Sequence, residues 1–355
     1  MLKDSLKVMA FPAFRNKLSN PYNHLLNSSI EQADQSIQIS EFSFGAALTQ
    51  KVDIIHVHWP EVYASSKYRL KAYTYTFMIL FVLWAAKLKG SKIVWTIHNL
   101  RPHNVKYPLL DSILWPTFMR LVDGICSLST ANEAIALKAY PTLCTKAKIS
   151  TYHGLYDSVK KSTNTQTQAR QHLQLPVQGQ LFLSLGQIKP YKGIEKLITA
   201  FKQPGMSDHT LVVAGKALDT TYVAELKKLI ENTGNIIFRP GFVTDDDLPE
   251  YYKAAHWSVI PFDAIFNSGS TLMSLTHHTP VILPYSDNFA EYSNFLPDQL
   301  LLYHGDFNVQ VLLDALERFK TDHPTQQSSQ PVNSALSWSD IGAKTAGFYR
   351  QLCQI

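Results

Sequence analysis

The sequence of 355 residues predicts an α/β protein built from two doubly wound parallel-sheet domains. A single ordinary core does not use this much chain, whereas two domains of roughly 150 to 200 residues do. Short apolar, β-branched runs recur in two series, each run followed by a helix-compatible stretch of about 10 to 15 residues, which is the rhythm of βαβ units. A polar stretch separates the two series.

In the first series the strand candidates are "KVMAFPAF", "VDIIHVHW", "KIVWTIHNL", "GICSLS" and "KISTYHG". Between the second and third lies Tyr73 to Ala86, "YTYTFMILFVLWAA", shorter than the roughly 18 apolar residues that span a bilayer, and read as a buried or interfacial helix, buried ahead of interfacial. From Asp157 to Gly179 the chain is polar and poor in large apolar residues, as a linker or surface segment would be. The domains are therefore placed at 1–165 and 178–335. The second series runs "LFLSLGQI", "HTLVVAGKA", "NIIFRPGFV", "WSVIPFD" and "TPVILPY". After a second polar patch, residues 336–355 carry a last helical pattern, expected to pack back towards the N-terminal domain. Ser337 or Ser339 would cap it, and Ile341, Thr345 and Tyr349 share one face.

A hydrophobic content of 45% with 17% charged residues excludes a disordered chain. The N-terminus has charges inside its apolar region and leads directly into a strand pattern, so it is not read as a signal peptide, and a cytoplasmic protein is expected. Cys126, Cys144 and Cys353 stand far apart, without the spacing of a disulfide framework or a zinc site. Residues 1–150 hold 17 Lys and Arg against 9 Asp and Glu, net +8, while 151–355 hold 16 against 19, net −3. A basic half suits an anionic membrane surface or a phosphorylated substrate; no nucleic-acid motif accompanies it.

Ligands of open parallel sheets bind beyond the carboxyl ends of the strands. "SLGQIKPYKGIEKLITAF" leaves a strand at Gly186 and enters a helix near Gly193, which puts Lys189 and Lys192 beside a helix N-terminus, where acids are the usual choice. Two ammonium groups there make a diphosphate site, although a strand-to-helix loop can also simply carry solvated lysines. Ser268, Gly269, Ser270 and Thr271 open a second helix, with hydroxyls and first-turn N–H groups that can donate to phosphate oxygens. Taken alone, this is equally an ordinary Ser N-cap.

Together, "LGQIKPYKGIEKLITAF", "VVAGKA", "FRPGFVTDDDLPEYYKAAHWSVIPF" and "TPVILPYSDNFAE" resemble the nucleotide-sugar half of GT-B glycosyltransferases of the family 4 type, well over 180–295 and loosely before it. The resemblance implies the GT-B fold, two Rossmann-like domains flanking an interdomain cleft. It also implies a donor set of Lys192 for the diphosphate, Lys189 in place of a loop arginine, Arg239 of "FRPG", the 268–271 group and Glu291. The three Asp of "TDDDLPEYY" read as a helix-start acidic cluster and not as a metal-binding motif. Retaining members place two Glu where this sequence has Ile265 and Met273. The "SGS", with "HVHWPE", "TIHNLRPHN" and "YHG", looks instead like inverting β-mannosyltransferases of the xanthan-pathway type.

Such an enzyme needs no metal and no cofactor beyond the nucleotide-sugar substrate, but it needs a base for the acceptor hydroxyl. Glu61 is the first choice and His98 the second. Arg15, Asn20, Tyr22, His58, Asn99, Arg101, His103 and His153 are candidate acceptor or cleft residues, each of which could equally be structural. The expected reaction is transfer of a sugar, first mannose from GDP-mannose, to a lipid-linked or oligosaccharide acceptor in bacterial-type polysaccharide synthesis. It would occur on the inner face of the plasma membrane, with peripheral contact through the basic N-terminal domain. Two alternatives share the fold: a nucleotide-sugar 2-epimerase, and a non-catalytic partner of a glycosyltransferase complex.

Overall fold

A computed structural model describes residues 5–17, 20–101, 105–156, 159–262, 266–322 and 334–354. The first part of the chain runs β1 (Leu6–Phe11), α1 (Tyr22–Ala33), β2 (Ile37–Glu41), α2 (Phe44–Thr49), β3 (Ile54–Val57), α3 (Arg69–Leu88), β4 (Lys92–Ile97), α4 (Pro108–Leu121), β5 (Gly124–Ser127), α5 (Thr130–Ala139) and β6 (Ala147–Ser150). The second runs α6 (Gln166–His172), β7 (Leu181–Leu185), α7 (Ile194–Phe201), β8 (Thr210–Gly215), α8 (Thr220–Ile230), β9 (Ile236–Pro240), α9 (Asp247–Ala254), β10 (Trp257–Val259), α10 (Gly269–Thr276), β11 (Val281–Pro284), α11 (Asp287–Ser293), β12 (Leu300–Tyr303) and α12 (Val309–Asp322). A final helix, α13, spans Trp338–Cys353.

The strands form two six-stranded sheets, ordered β2-β1-β3-β4-β5-β6 and β12-β11-β10-β7-β8-β9, with every strand pair parallel. Buried strands covered on both faces read as continuous apolar runs, and all six residues of β8 are buried. Each sheet reverses its winding once, between β1 and β3 in one and between β7 and β10 in the other. These are the positions where open α/β sheets make a crevice for ligands.

The chain divides into a unit of 1–154 with 332–355 and a unit of 155–331. The stretch from Asp157 to Gly179 is not a bare linker. It contains α6, held by a capping box between Thr165 and Gln168, with Ala169 and Arg170 buried. Arg170 donates to the carbonyls of Ala254, Pro176, Val177 and Gly179, which ties the helix into the second unit.

Helix α13 belongs to the first unit, capped by Ser337, whose hydroxyl accepts from the Asp340 N–H, and burying Ile341, Thr345 and Tyr349. It packs so closely on α1 that a Cβ at Gly342 would stand 2.5 Å from the Ser29 carbonyl group. An Arg350–Asp34 ion pair at 2.8 Å closes its far end. The helix from Tyr73 to Ala86 lies within α3, but only one of its faces is buried, since Phe77, Phe81 and Trp84 are exposed.

Candidate functional site

In the second unit the site is built where β7 ends. Gly186 and Gly215 follow at the ends of β7 and β8 with φ of 133° and 138°, and a Cβ on Gly215 would lie 1.8 Å from the Gly186 oxygen. Only glycine allows these two backbones to touch. The chain then makes a single helical turn, Pro190–Lys192, and Gly193, at φ 66°, starts α7. That turn delivers Lys192 back over Gly186, its Nζ 3.2 Å from where a Gly186 Cβ would stand. Ser270 Oγ, from the first turn of α10, arrives at 3.3 Å from the same point.

Lys192 is largely buried, and burial, reinforced by nearby Lys189, lowers its pKa to about 8. Its Nζ lies 5.2 Å from the centre of the Phe262 ring. No carboxylate pairs with it among the described residues. Enclosing an ammonium without an anion beside it is costly, and burial shifts it towards its neutral form. A phosphate at Gly186 would supply the missing charge and find donors at hand: Lys192, Ser270 and the N–H groups of Gly269 and Ser270, which have no acceptor within the helix.

The other residues of this group divide. Lys189 heads the turn, with its Nζ 6.0 Å from the Tyr191 ring, close enough to Lys192 to act on it. Ser268 is committed to capping α10, where its hydroxyl accepts from the Thr271 N–H at 3.2 Å. Thr271 Oγ1 is buried and has no hydrogen-bond partner among the described residues. Glu291 is half-buried on α11, which Asn288 ties to the loop before α10 by donating to the Phe266 carbonyl at 2.9 Å.

Arg239 does not join the group. From β9, at the edge of the sheet, its guanidinium donates to the Leu173 carbonyl at 2.8 Å and the Tyr251 hydroxyl at 3.2 Å, a structural clamp on α6 and α9. The acids of "TDDD" start α9: the Thr244 hydroxyl accepts from the Asp247 N–H, and Asp246 pairs with Lys160 at 2.6 Å. Met273 packs against the core beside Leu181 and Tyr252, and Ile265 lies outside the described residues. An open cavity of about 780 Å³ lies at the ends of β8 and β9, lined by Lys216, Asp219, Gly241 and Phe242 among others, with Phe242 79% exposed.

In the first unit the strand ends carry a connected set of imidazoles. His56 contacts the Tyr349 hydroxyl at 2.5 Å and Thr96 Oγ1 at 2.7 Å, while His58 Nδ1 and His98 Nε2 are 3.1 Å apart, one donating to the other. Trp59 stacks on His98 at 4.3 Å, and Tyr22 packs edge-on against it at 4.8 Å. His153 lies 4.6 Å from Tyr22, with its Nδ1 2.9 Å from the Gly154 carbonyl. Burial holds all four rings below the usual histidine value: His56 at about 3, His153 at about 4, and His58 and His98 well down. They are neutral at physiological pH.

His98 is less favourably placed as a base than Glu61: its Nε2 is already engaged by His58, and burial shifts its pKa downward. Glu61 is different. It sits in a short helical turn, Pro60–Ser65, that follows β3, and is 9% exposed. Burial, with the negative charge of Asp111 adding to it, raises its pKa to about 7, against hydrogen bonds from its own N–H and the Asn99 side chain. A carboxylate half-ionised at neutral pH is suited to accept a proton.

Of the remaining candidates, Arg15 pairs with Glu41 at 3.3 Å, and the Asn20 side chain accepts from the Tyr22 N–H. Tyr22 is buried in the aromatic cluster. These are loop-shaping roles. Arg101 hydrogen-bonds to Tyr140 and lines a cavity of about 600 Å³ with Asp111, Trp115, Met119 and Arg120. His103 lies outside the described residues. The network of His56, Thr96 and Tyr349 was not singled out in the sequence, although His56 alternates with His58 along one strand.

Residues 165–284 match the family model described as Glycosyl transferases group 1. Over 328 residues the chain is 24% identical to the GDP-mannose:glycolipid 4-beta-D-mannosyltransferase of Xanthomonas campestris pv. campestris, covering 92% of this chain and 87% of that protein. Among solved structures, sucrose-phosphate synthase from Thermosynechococcus elongatus superposes with a TM-score of 0.71 at 15% identity, covering 98% of this chain and 99% of the other. The Anabaena protein HepE, solved with UDP and glucose, gives 0.64 at 13%, covering 98% of both chains.

Proposed function

We propose that this GT-B glycosyltransferase moves mannose from GDP-mannose to a lipid-linked or oligosaccharide acceptor in the synthesis of a bacterial-type polysaccharide, with inversion and without a metal. The observation that carries the reading is the largely buried ammonium of Lys192 meeting Ser270 over side-chain-free Gly186, with no carboxylate paired to it among the described residues. The mannosyltransferase likeness supports the sugar and the nucleotide.

In this account Glu61 takes the proton from the acceptor hydroxyl as that oxygen attacks the anomeric carbon, and the bond from that carbon to the diphosphate breaks. Attack opposite the leaving group inverts the centre. GDP departs with an added negative charge, met by Lys192, Lys189 and the first turn of α10, groups that supply the positive potential a metal ion would otherwise bring. The nucleoside lies over the ends of β8 and β9, where the open cavity exposes Phe242 for stacking. The protein works at the inner face of the membrane, touching it peripherally through its basic first unit; among the described residues no helix is long and apolar enough to cross a bilayer.

A thermal-shift panel tests the assignment. GDP and GDP-mannose should raise the melting temperature, since a ligand at about 100 times its Kd adds about 2.7 kcal/mol, and UDP or ADP sugars should do less. A larger shift with UDP sugars would replace the nucleotide, and no shift with any nucleotide would remove the donor reading.

A further inference from the structure

Helix α3 has two apolar faces and only one of them is covered. Ala72, Ile79, Leu80, Val82, Leu83 and Ala86 are buried. On the other side Leu70, Phe77, Phe81, Trp84 and Leu88 are 81%, 51%, 55%, 49% and 69% exposed. With 3.6 residues per turn these five positions fall within a stripe about 60° wide. They form a continuous ridge along the 20-residue helix rather than isolated apolar residues.

The charge around this ridge is one-sided. Residues 62–110 contain no Asp or Glu and eight basic residues: Lys67, Arg69, Lys71, Lys87, Lys89, Lys92, Arg101 and Lys106. That equals the whole +8 excess of residues 1–150. At the C-terminal end the charges are tied down, Lys87 by Asp123 at 2.6 Å and Lys89 by the carbonyls of Ala47, Leu48 and Gln50. At the N-terminal end Lys67, Arg69 and Lys71 are exposed, with their charged groups 5.1, 5.7 and 5.4 Å from the rings of Tyr68, Tyr73 and Tyr75. Tyrosines with cations at the end of an apolar ridge match the boundary between lipid headgroups and acyl chains.

We propose that α3 is the membrane-contact face, lying flat on a bilayer of anionic lipid with the ridge from Leu70 to Leu88 in the acyl boundary and Lys67, Arg69 and Lys71 on headgroup phosphates. The proposal rests on the peripheral-contact reading above and gives it a face. The lack of acids selects the occupant: a second copy docking through the same face would bring two acid-free, basic stretches together, whereas anionic lipid complements them.

The test is flotation of the full chain with vesicles of phosphatidylcholine and phosphatidylglycerol in equal parts, and with phosphatidylcholine alone. The wild type should float with the mixed vesicles and less with the neutral ones. The double substitution Phe81→Glu and Trp84→Glu should lower the bound fraction about tenfold or more, while titration with GDP-mannose stays unchanged and shows that the protein is folded. Lys67→Glu with Arg69→Glu and Lys71→Glu should remove the preference for anionic lipid. A wild type that binds neither vesicle would overturn both the membrane reading and its face. Equal flotation of wild type and Phe81/Trp84 variant would leave membrane contact standing and overturn the assignment to α3. A wild-type dimer abolished by that variant, without vesicle binding, would overturn it in favour of a second copy.

Discussion

The two sheets are wound alike, each reversing once, but they hold opposite chemistry at the reversal. Beyond β7 and β10 the strand ends keep a largely buried cation, Lys192, with no carboxylate paired to it among the described residues, beside the first turn of α10, whose N–H groups have no acceptor within the helix. Beyond β1 and β3 the polar groups are largely spent on one another, imidazole on imidazole and hydroxyl on imidazole, and one carboxyl, Glu61, is held near neutrality. The contrast teaches that one fold can desolvate a cation at one reversal, which favours an anionic ligand, and an acid at the other, which brings its pKa towards neutrality.

The largest expected effect separates the two regions. Glu61→Gln should lower kcat by about 10²- to 10⁴-fold, the usual share of a general base, with donor affinity unchanged in a binding titration. A variant turning over at the wild-type rate would return the role of base to another group of the first unit. The same substitution probes stability. An acid whose pKa is raised in the folded state stabilises below its unfolded value and loses that contribution as pH rises through about 7. At pH 8 the Gln variant should therefore be more stable than the wild type by about 3 kcal/mol in denaturant unfolding.

Next in size is the pH dependence. Glu61 must be ionised to act, so kcat/KM should fall as pH drops below about 7. Lys192 must be protonated to bind, so donor affinity should fall as pH rises above about 8. Rate profiles and donor titrations across this range read the two limbs separately, and Glu61→Gln should erase only the acid one. The smallest expected effect is none: EDTA should leave the rate unchanged, and a loss restored by a divalent cation would contradict the metal-free mechanism.

Of the twelve strands among the described residues, ten were legible as apolar runs, and the two that were not, β2 and β12, lie at sheet edges. Along β2 Ile37 and Ile39 are buried while Gln38 and Ser40 face out, so that strand alternates and leaves no run to see. In the candidate site, Lys192 was legible because a lysine at a helix start opposes the helix dipole. The contacts of Ser268 and Arg239 were not legible, since a serine cap and a phosphate donor are spelled alike and only the structure shows that Ser268 caps α10 and that Arg239 holds Leu173 and Tyr251. His98 likewise looked like a base until its neighbours were known: pairing with His58 joins residues 40 apart, and no spacing announces it.

The central claim is that Lys192 is held over Gly186 for the donor diphosphate. Calorimetric titration of GDP and GDP-mannose into the wild type and Lys192→Ala tests it directly. Loss of a charged hydrogen bond to phosphate should cost about 1.5 to 3 kcal/mol, a roughly tenfold to hundredfold weaker Kd for both ligands, while the apo variant unfolds no more easily than the wild type. Unchanged affinity in a folded Lys192→Ala protein would contradict the account.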